Sequence, residues 1–210
     1  VGADLDSVAT DIDLTFDGET PYAVYSSAGG TYVKYYDGSS WITVGTQPSI
    51  AMTYFNDIII SSGIPYVGYH NGTSTFALKY TAPSWGTIDT SLGGISDYMS
   101  LAATTTQIYA SFNLSGVITI MKNTIPVTGT WVPISPAGLN VESISSLIYS
   151  GQPAVAFKDI VNSGKASVIA YTGSGTSWEL RGAHPIAGAI LLGGTTYQYG
   201  YHLVGGTYPR

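Results

Sequence analysis

Residues 44–87 read VGTQPSIAMTYFNDIIISSGIPYVGYHNGTSTFALKYTAPSWGT. Four runs rich in β-branched and aromatic residues stand out: DIIIS at 57–61, PYVGY at 65–69, TFALKY at 75–80 and SWGTI at 84–88. Gly, Asn, Ser and Pro separate them, each suited to turn geometry. No part of the stretch holds a helical period with caps. It predicts four short antiparallel strands joined by tight turns.

The pattern recurs on both sides. Trp41, Trp85, Trp131 and Trp178 are the only tryptophans and lie 44, 46 and 47 residues apart. An aromatic closes five matching segments: PYAVY at Tyr25, PYVGY at Tyr69, IYASF at Phe112, PAVAF at Phe157 and YQYGY at Tyr201. Two markers with one period of 40 to 50 residues are the mark of a repeat array. The repeats are 1–43, 44–87, 88–133 and 134–180, with an incomplete fifth at 181–210 that has no tryptophan. In the first, Val8, Thr10, Ile12, Leu14 and Phe16 alternate with polar residues, as in a half-buried strand. Four-stranded units of this kind, stacked face to face, predict one all-β domain over 1–210. The expected architecture is a five-bladed β-propeller whose fifth blade lacks its outer strand. The tryptophans and the Tyr/Phe markers are expected to fill slots between blades.

The sequence PYVGY, followed by KY, SW and VG, resembles the PYVxY…W…VG repeats of bacterial and archaeal surface proteins. That resemblance covers nearly the whole chain. It implies a propeller and a surface setting, and its motifs mark a fold rather than an activity. No WD dipeptide or GH pair occurs, so similarity to WD40 repeats is poor.

Composition narrows the function classes. Charged residues are 10% of the chain, with 26 Gly and 17 Tyr, against about 25% charged residues in ordinary soluble proteins. Hydroxyls and backbone must wet the surface, which suits an extracellular or cell-surface location. The net charge of −6 offers no basic stripe, which argues against a nucleic-acid partner. With no cysteine, disulfides and thiol chemistry are excluded. No apolar run reaches the ~18 residues of a membrane helix, so no membrane insertion is expected. The opening VGADLDS does not read as a signal peptide. It fits a mature chain whose signal is gone, or a fragment.

Candidate chemistry is sparse. Six of thirteen acids fall within the first nineteen residues, Asp4, Asp6, Asp11, Asp13, Asp17 and Glu19. Asp4, Asp6, Asp11 and Asp13 could contribute oxygens to a cation, but they lack a calcium-loop spacing and read better as a solvated acidic patch. No metal or other cofactor is expected. Tyr25, Tyr69 and Tyr201 could offer ring faces to a glycan at equivalent positions, although packing explains them as well. Asn71-Gly72-Thr73 and Asn113-Leu114-Ser115 have the form of glycosylation acceptors. His70 and His202 follow Tyr69 and Tyr201, a match that reads as repeat inheritance.

Taken together, these features predict a non-catalytic extracellular module for recognising glycans or surfaces, and not an enzyme. One alternative is a self-assembling subunit that pairs through the open edge of blade five near Tyr208, giving a homo-oligomer. A second is a secreted glycoside hydrolase. It requires acids from several blades to converge near the axis, and Asp13, Asp57 and Asp97 form the one plausible trio.

Overall fold

The computed structural model describes residues 5, 8–51, 53–88, 91–125 and 129–181. They form sixteen strands in four antiparallel sheets of four. The first sheet holds β1 (Thr10–Asp17), β2 (Thr20–Ser27), β3 (Gly30–Tyr36) and β4 (Trp41–Thr43). The second holds β5 (Tyr54–Ser61), β6 (Ile64–His70), β7 (Thr75–Thr81) and β8 (Ser84–Thr87). The third holds β9 (Ser96–Ala103), β10 (Gln107–Leu114), β11 (Val117–Thr124) and β12 (Val132–Pro133). The fourth holds β13 (Val141–Tyr149), β14 (Gln152–Asp159), β15 (Lys165–Tyr171) and β16 (Trp178–Leu180). Each sheet runs in chain order from an inner strand to a short outer strand, as the repeat predicts. The fifth unit, with Tyr201 and Tyr208, lies outside the described residues.

Three apolar seams join the sheets. Val24, Val33, Val44, Ile58, Val67, Tyr69 and Leu78 close the first. Tyr66, Ile88, Met99, Leu101, Phe112 and Trp131 belong to the second. Tyr109, Ile120, Ile134, Ile144, Phe157 and Tyr171 belong to the third. The aromatic markers are thus the filling between sheets. Gly68 stands where the second sheet packs tightly on the third. A Cβ there would lie 2.5 Å from Met99 Cε and 3.2 Å from Leu101 Cγ.

The tryptophan period has a polar cause as well. Trp85 Nε1 donates to Val44 O (3.1 Å), Trp131 Nε1 to Ile88 O (2.8 Å) and Trp178 Nε1 to Ile134 O (2.6 Å). Each acceptor lies three residues beyond the tryptophan of the preceding sheet. The amides of Val44, Ile88 and Ile134 bond back into their own sheets, to Val33, Ala77 and Ile120. One short segment therefore ends one sheet and receives the indole of the next.

The first sheet differs from the others. Leu14 and Phe16 on β1 are 47% and 57% exposed, and Ile12 and Val8 are exposed too. By register Leu14 matches Ile58, which is buried. The same position is covered in the second sheet and open in the first. Trp41 is likewise the one tryptophan whose indole has no carbonyl partner of this kind among the described residues.

The staple gives Trp131 a measurable share of the stability. Trp131→Phe leaves the Ile88 carbonyl buried without its donor and should destabilise by about 1–3 kcal/mol. Ile50→Ala, at a side chain 88% exposed, should change stability by less than about 0.5 kcal/mol. Urea unfolding of the two variants checks this, and equal losses would contradict the staple.

Candidate functional site

An inner strand pairs on one side only, with the second strand of its own sheet. Its other edge carries amides that need partners once the sheets stack. Side chains of the preceding sheet supply them. Asp13 Oδ2 accepts from Ile58 N at 2.9 Å, and Asp57 Oδ2 accepts from Leu101 N at 2.5 Å. Ser100 Oγ accepts from Ser146 N at 2.9 Å. The three acceptors are equivalent by register, since Asp13 faces Val24, Asp57 faces Gly68 and Ser100 faces Ser111. The result is a row of acceptors along the inner strands.

The first two members of that row also meet each other. Burial pushes the Asp57 carboxyl well above the usual carboxylate range, and the neighbouring charge of Asp13 pushes it further. The Leu101 amide opposes the shift without cancelling it. Two carboxyls in such contact cannot both ionise freely, so protonation of Asp57 is favoured over that of a free carboxyl.

Asp97 does not join them. It pairs with Asn113, three residues before Ser100, and is exposed. Ser100 occupies the place the trio required of Asp97. Asp97 instead matches Tyr54 and Thr10, three residues before the shared place of Asp13, Asp57 and Ser100. Each inner strand shifts register near its start, between Thr10 and Asp13, Tyr54 and Asp57, Asp97 and Met99, and Glu142 and Ile144. The extra residue at each bulge has positive φ: Asp11 (48°), Phe55 (52°), Tyr98 (61°) and Ser143 (49°). None is glycine, although that conformation favours glycine. The bulge also takes Asp11 and Asp13 out of the simple alternation expected of them.

These bulges put a set of rings at the mouth of the inner strands. Tyr54 stacks on His70 at 5.0 Å, Phe55 on His70 at 5.5 Å, and Phe55 meets Tyr98 at 5.2 Å. His70 Nδ1 accepts from Gly72 N at 3.1 Å, which places the proton of the neutral ring on Nε2. Burial pulls His70 below the usual imidazole range, against the opposite pull of Asp97 and Asp11. A buried network holds this end. Asn56 Nδ2 donates to Asp11 O and to Ser26 Oγ, both at 2.9 Å, and Thr53 Oγ1 donates to Asn56 Oδ1 at 2.6 Å. Phe55 and Tyr98 were not legible as site residues. The matched place of His70 was the one signal that pointed here.

The remaining candidates fall elsewhere. Tyr25 and Tyr69 are 1% and 6% exposed. Tyr25 donates its hydroxyl to Leu5 O at 3.2 Å and stacks on Tyr32, and Tyr69 lies in the first seam. Neither offers an open face for a sugar; both serve the core. Asn113 is buried within β10, where Nδ2 donates to Val141 O and Oδ1 accepts from Gly116 N. That burial closes it to glycosylation in the folded chain, against the reading of its sequon as a possible acceptor. Asn71 is exposed, and its Oδ1 accepts from Thr73 N, Thr73 Oγ1 and Ser74 N. Asp4, Asp6 and Tyr201 lie outside the described residues.

No protein-family model matches the sequence, and a search of curated proteins found none with significant similarity. Solved structures do match. A GH43 glycoside hydrolase engineered to display both endo-xylanase and exo-arabinofuranosidase activity superposes with TM-score 0.53 at 14% identity, covering 82% of this chain and 40% of that one. A GH43 protein from Bacillus licheniformis gives 0.51 at 16%, covering 84% and 42%. The xyloglucan PUL GH43B of Bacteroides ovatus gives 0.54 at 14%, covering 85% and 42%. The chain thus spans about two-fifths of the length of these structures. At such identities the likeness shows the fold, a β-propeller arrangement of four-stranded sheets. It also corrects the expectation of a non-catalytic recognition module that is not an enzyme. The solved structures sharing this arrangement are glycoside hydrolases, the alternative that rested on axial carboxyls, and two of the three proposed acids do converge.

The raised proton affinity of Asp57 has a signature in stability. Asp57 has a folded pKa above its unfolded value, so between the two the folded state holds more protons and stability falls as pH rises. Asp57→Asn can keep the acceptor for Leu101 N without a proton to lose. Its unfolding free energy should gain on the wild type progressively from about pH 4 upward. Urea titrations at pH 4, 6 and 8 measure this, and a constant difference would count against the raised affinity.

Proposed function

We propose that this chain is the catalytic propeller of a glycoside hydrolase, working at the inner-strand mouth of its sheets. The observation that carries the reading is the contact between Asp13 and Asp57, which leaves a protonated carboxyl in a fold that glycoside hydrolases use. In this reading Asp57 gives its proton to the leaving-group oxygen as the glycosidic bond breaks, and Asp13 holds the proton on Asp57 until then. The two are closer than the about 5–5.5 Å or 6.5–9.5 Å at which paired carboxyls flank a glycosidic bond. They therefore act as one acid. The carboxylate that activates water comes from the mouth, where Asp11 and Asp97 face His70. The activities described for the first similar structure point to pentose-containing polymers such as xylan and arabinoxylan as the substrate class.

We infer that the propeller has five blades, the last supplied by 181–210. Three features support this count: the YQYGY marker, the uncovered apolar face of Ile12, Leu14 and Phe16, and the unmatched indole of Trp41.

Release of nitrophenol from aryl arabinofuranosides and xylosides tests the activity. Asp57→Asn should lower kcat by about 10²-fold or more, the usual scale of a general acid. Wild-type protein that cleaves neither these nor arabinoxylan would defeat the reading. Deleting 182–210 should lower Tm and raise binding of an apolar dye; an unchanged Tm would remove the fifth blade.

A further inference from the structure

We propose that Tyr54, Phe55, His70, Tyr98 and Asp97 form a subsite for one ring of a neutral sugar, set beside the axial carboxyls between the second and third sheets. The proposal rests on the hydrolase reading and names where its substrate is gripped.

The first argument is the backbone. A non-glycine residue at positive φ is strained and persists only when the surroundings impose it. Here the same bulge recurs in four sheets with four different side chains, Asp11, Phe55, Tyr98 and Ser143. A purely structural bulge would be served by glycine in each. Bulges re-aim side chains, and these carry aromatic rings in two adjacent sheets and polar groups in the other two. The residues before them vary in the same way. The first pair of each bulge is Thr10 with Ser26, Tyr54 with His70, Asp97 with Asn113 and Glu142 with Lys158. A uniform frame therefore presents a non-uniform surface, concentrated on the second and third sheets.

The second argument is chemistry. Tyr54 is 42% exposed, so its ring is accessible, whereas His70 beneath it is buried. The negative face of an aromatic ring attracts the weakly positive C–H face of a sugar. Asp97 is exposed and can accept from sugar hydroxyls. His70 Nε2 carries a proton that has no acceptor among the described residues, while its Nδ1 is held by Gly72. The site thus combines a ring face, a carboxylate acceptor and a neutral donor. The lysines whose contacts are defined lie elsewhere, Lys34 on Tyr25, Lys122 on Tyr171 and Lys158 with Glu142. These cations are engaged away from the mouth, and a neutral polyol matches all three groups.

Rings beside carboxylates can also cage a quaternary ammonium group, so the experiment includes that ligand. Asp57→Asn protein, which spares the ligand from turnover, is titrated calorimetrically with xylotriose, arabinotriose and choline while the His70 ring resonances are followed by NMR. The expected result is saturable binding of a trisaccharide that shifts the His70 signals. Adding Tyr54→Ala or Asp97→Asn should weaken it at least tenfold with Tm unchanged. Tyr149→Ala, at the far end of β13, should leave it intact. Trisaccharide affinity that survives both mouth substitutions, no trisaccharide binding at all, or binding of choline alone would each overturn the subsite. The two readings separate cleanly. Wild-type hydrolysis with a KM indifferent to Tyr54→Ala removes the subsite and keeps the hydrolase. Trisaccharide binding that depends on Tyr54, without turnover, does the reverse.

Discussion

Stacked sheets leave backbone groups at two kinds of edge, and in this protein the neighbouring sheet satisfies both. At the outer edge an indole N–H reaches a carbonyl of the preceding sheet. At the inner edge a carboxylate or hydroxyl reaches an amide of the following one. A buried amide or carbonyl without a partner costs about 1–3 kcal/mol. These contacts therefore set the spacing of the sheets, and the apolar seams fill the spacing so defined. The period of the tryptophans is the distance along the chain from one such contact to the next.

The inner-edge contacts have a chemical consequence. An acceptor placed there for structural reasons is buried, and a carboxyl in that position changes its proton affinity. Asp57 is caught between the third sheet's amide and the charge of Asp13, and burial prevails. Ser100 makes the same bond without any titration. The row is thus symmetric in geometry but asymmetric in the groups that titrate. The rings of the mouth sit in the second and third sheets, on the side where Asp57 meets the third sheet.

Much of the architecture could be read from particular residues. Trp41, Trp85, Trp131 and Trp178 located the outer strands, and PYAVY to PAVAF located the second strands, because both occupy invariant slots in a repeated unit. The convergence of Asp13 and Asp57 followed from their equivalent places in that unit. Asp97 misled because nearness to an inner strand does not fix a residue's place within it: Asp97 stands at the position of Tyr54, three residues before that of Asp57. Tyr25 and Tyr69 looked like possible ligand faces because burial between sheets is invisible along a single strand. The sequon at Asn113 was open to reading as an acceptor for the same reason.

The sequence by itself determined the period, the four strands of each complete unit and their order, because apolar alternation and turn residues are local properties. Only the tertiary structure decided what the edges do. The pairing of an indole with a carbonyl some forty residues away, and of a carboxyl with the amide of the next inner strand, depends on how sheets lie against each other. So do the raised proton affinity of Asp57 and the rings gathered around His70. Electrostatics and stacking depend on distances in space, and in a repeat stacked through its faces those distances join residues one full period apart.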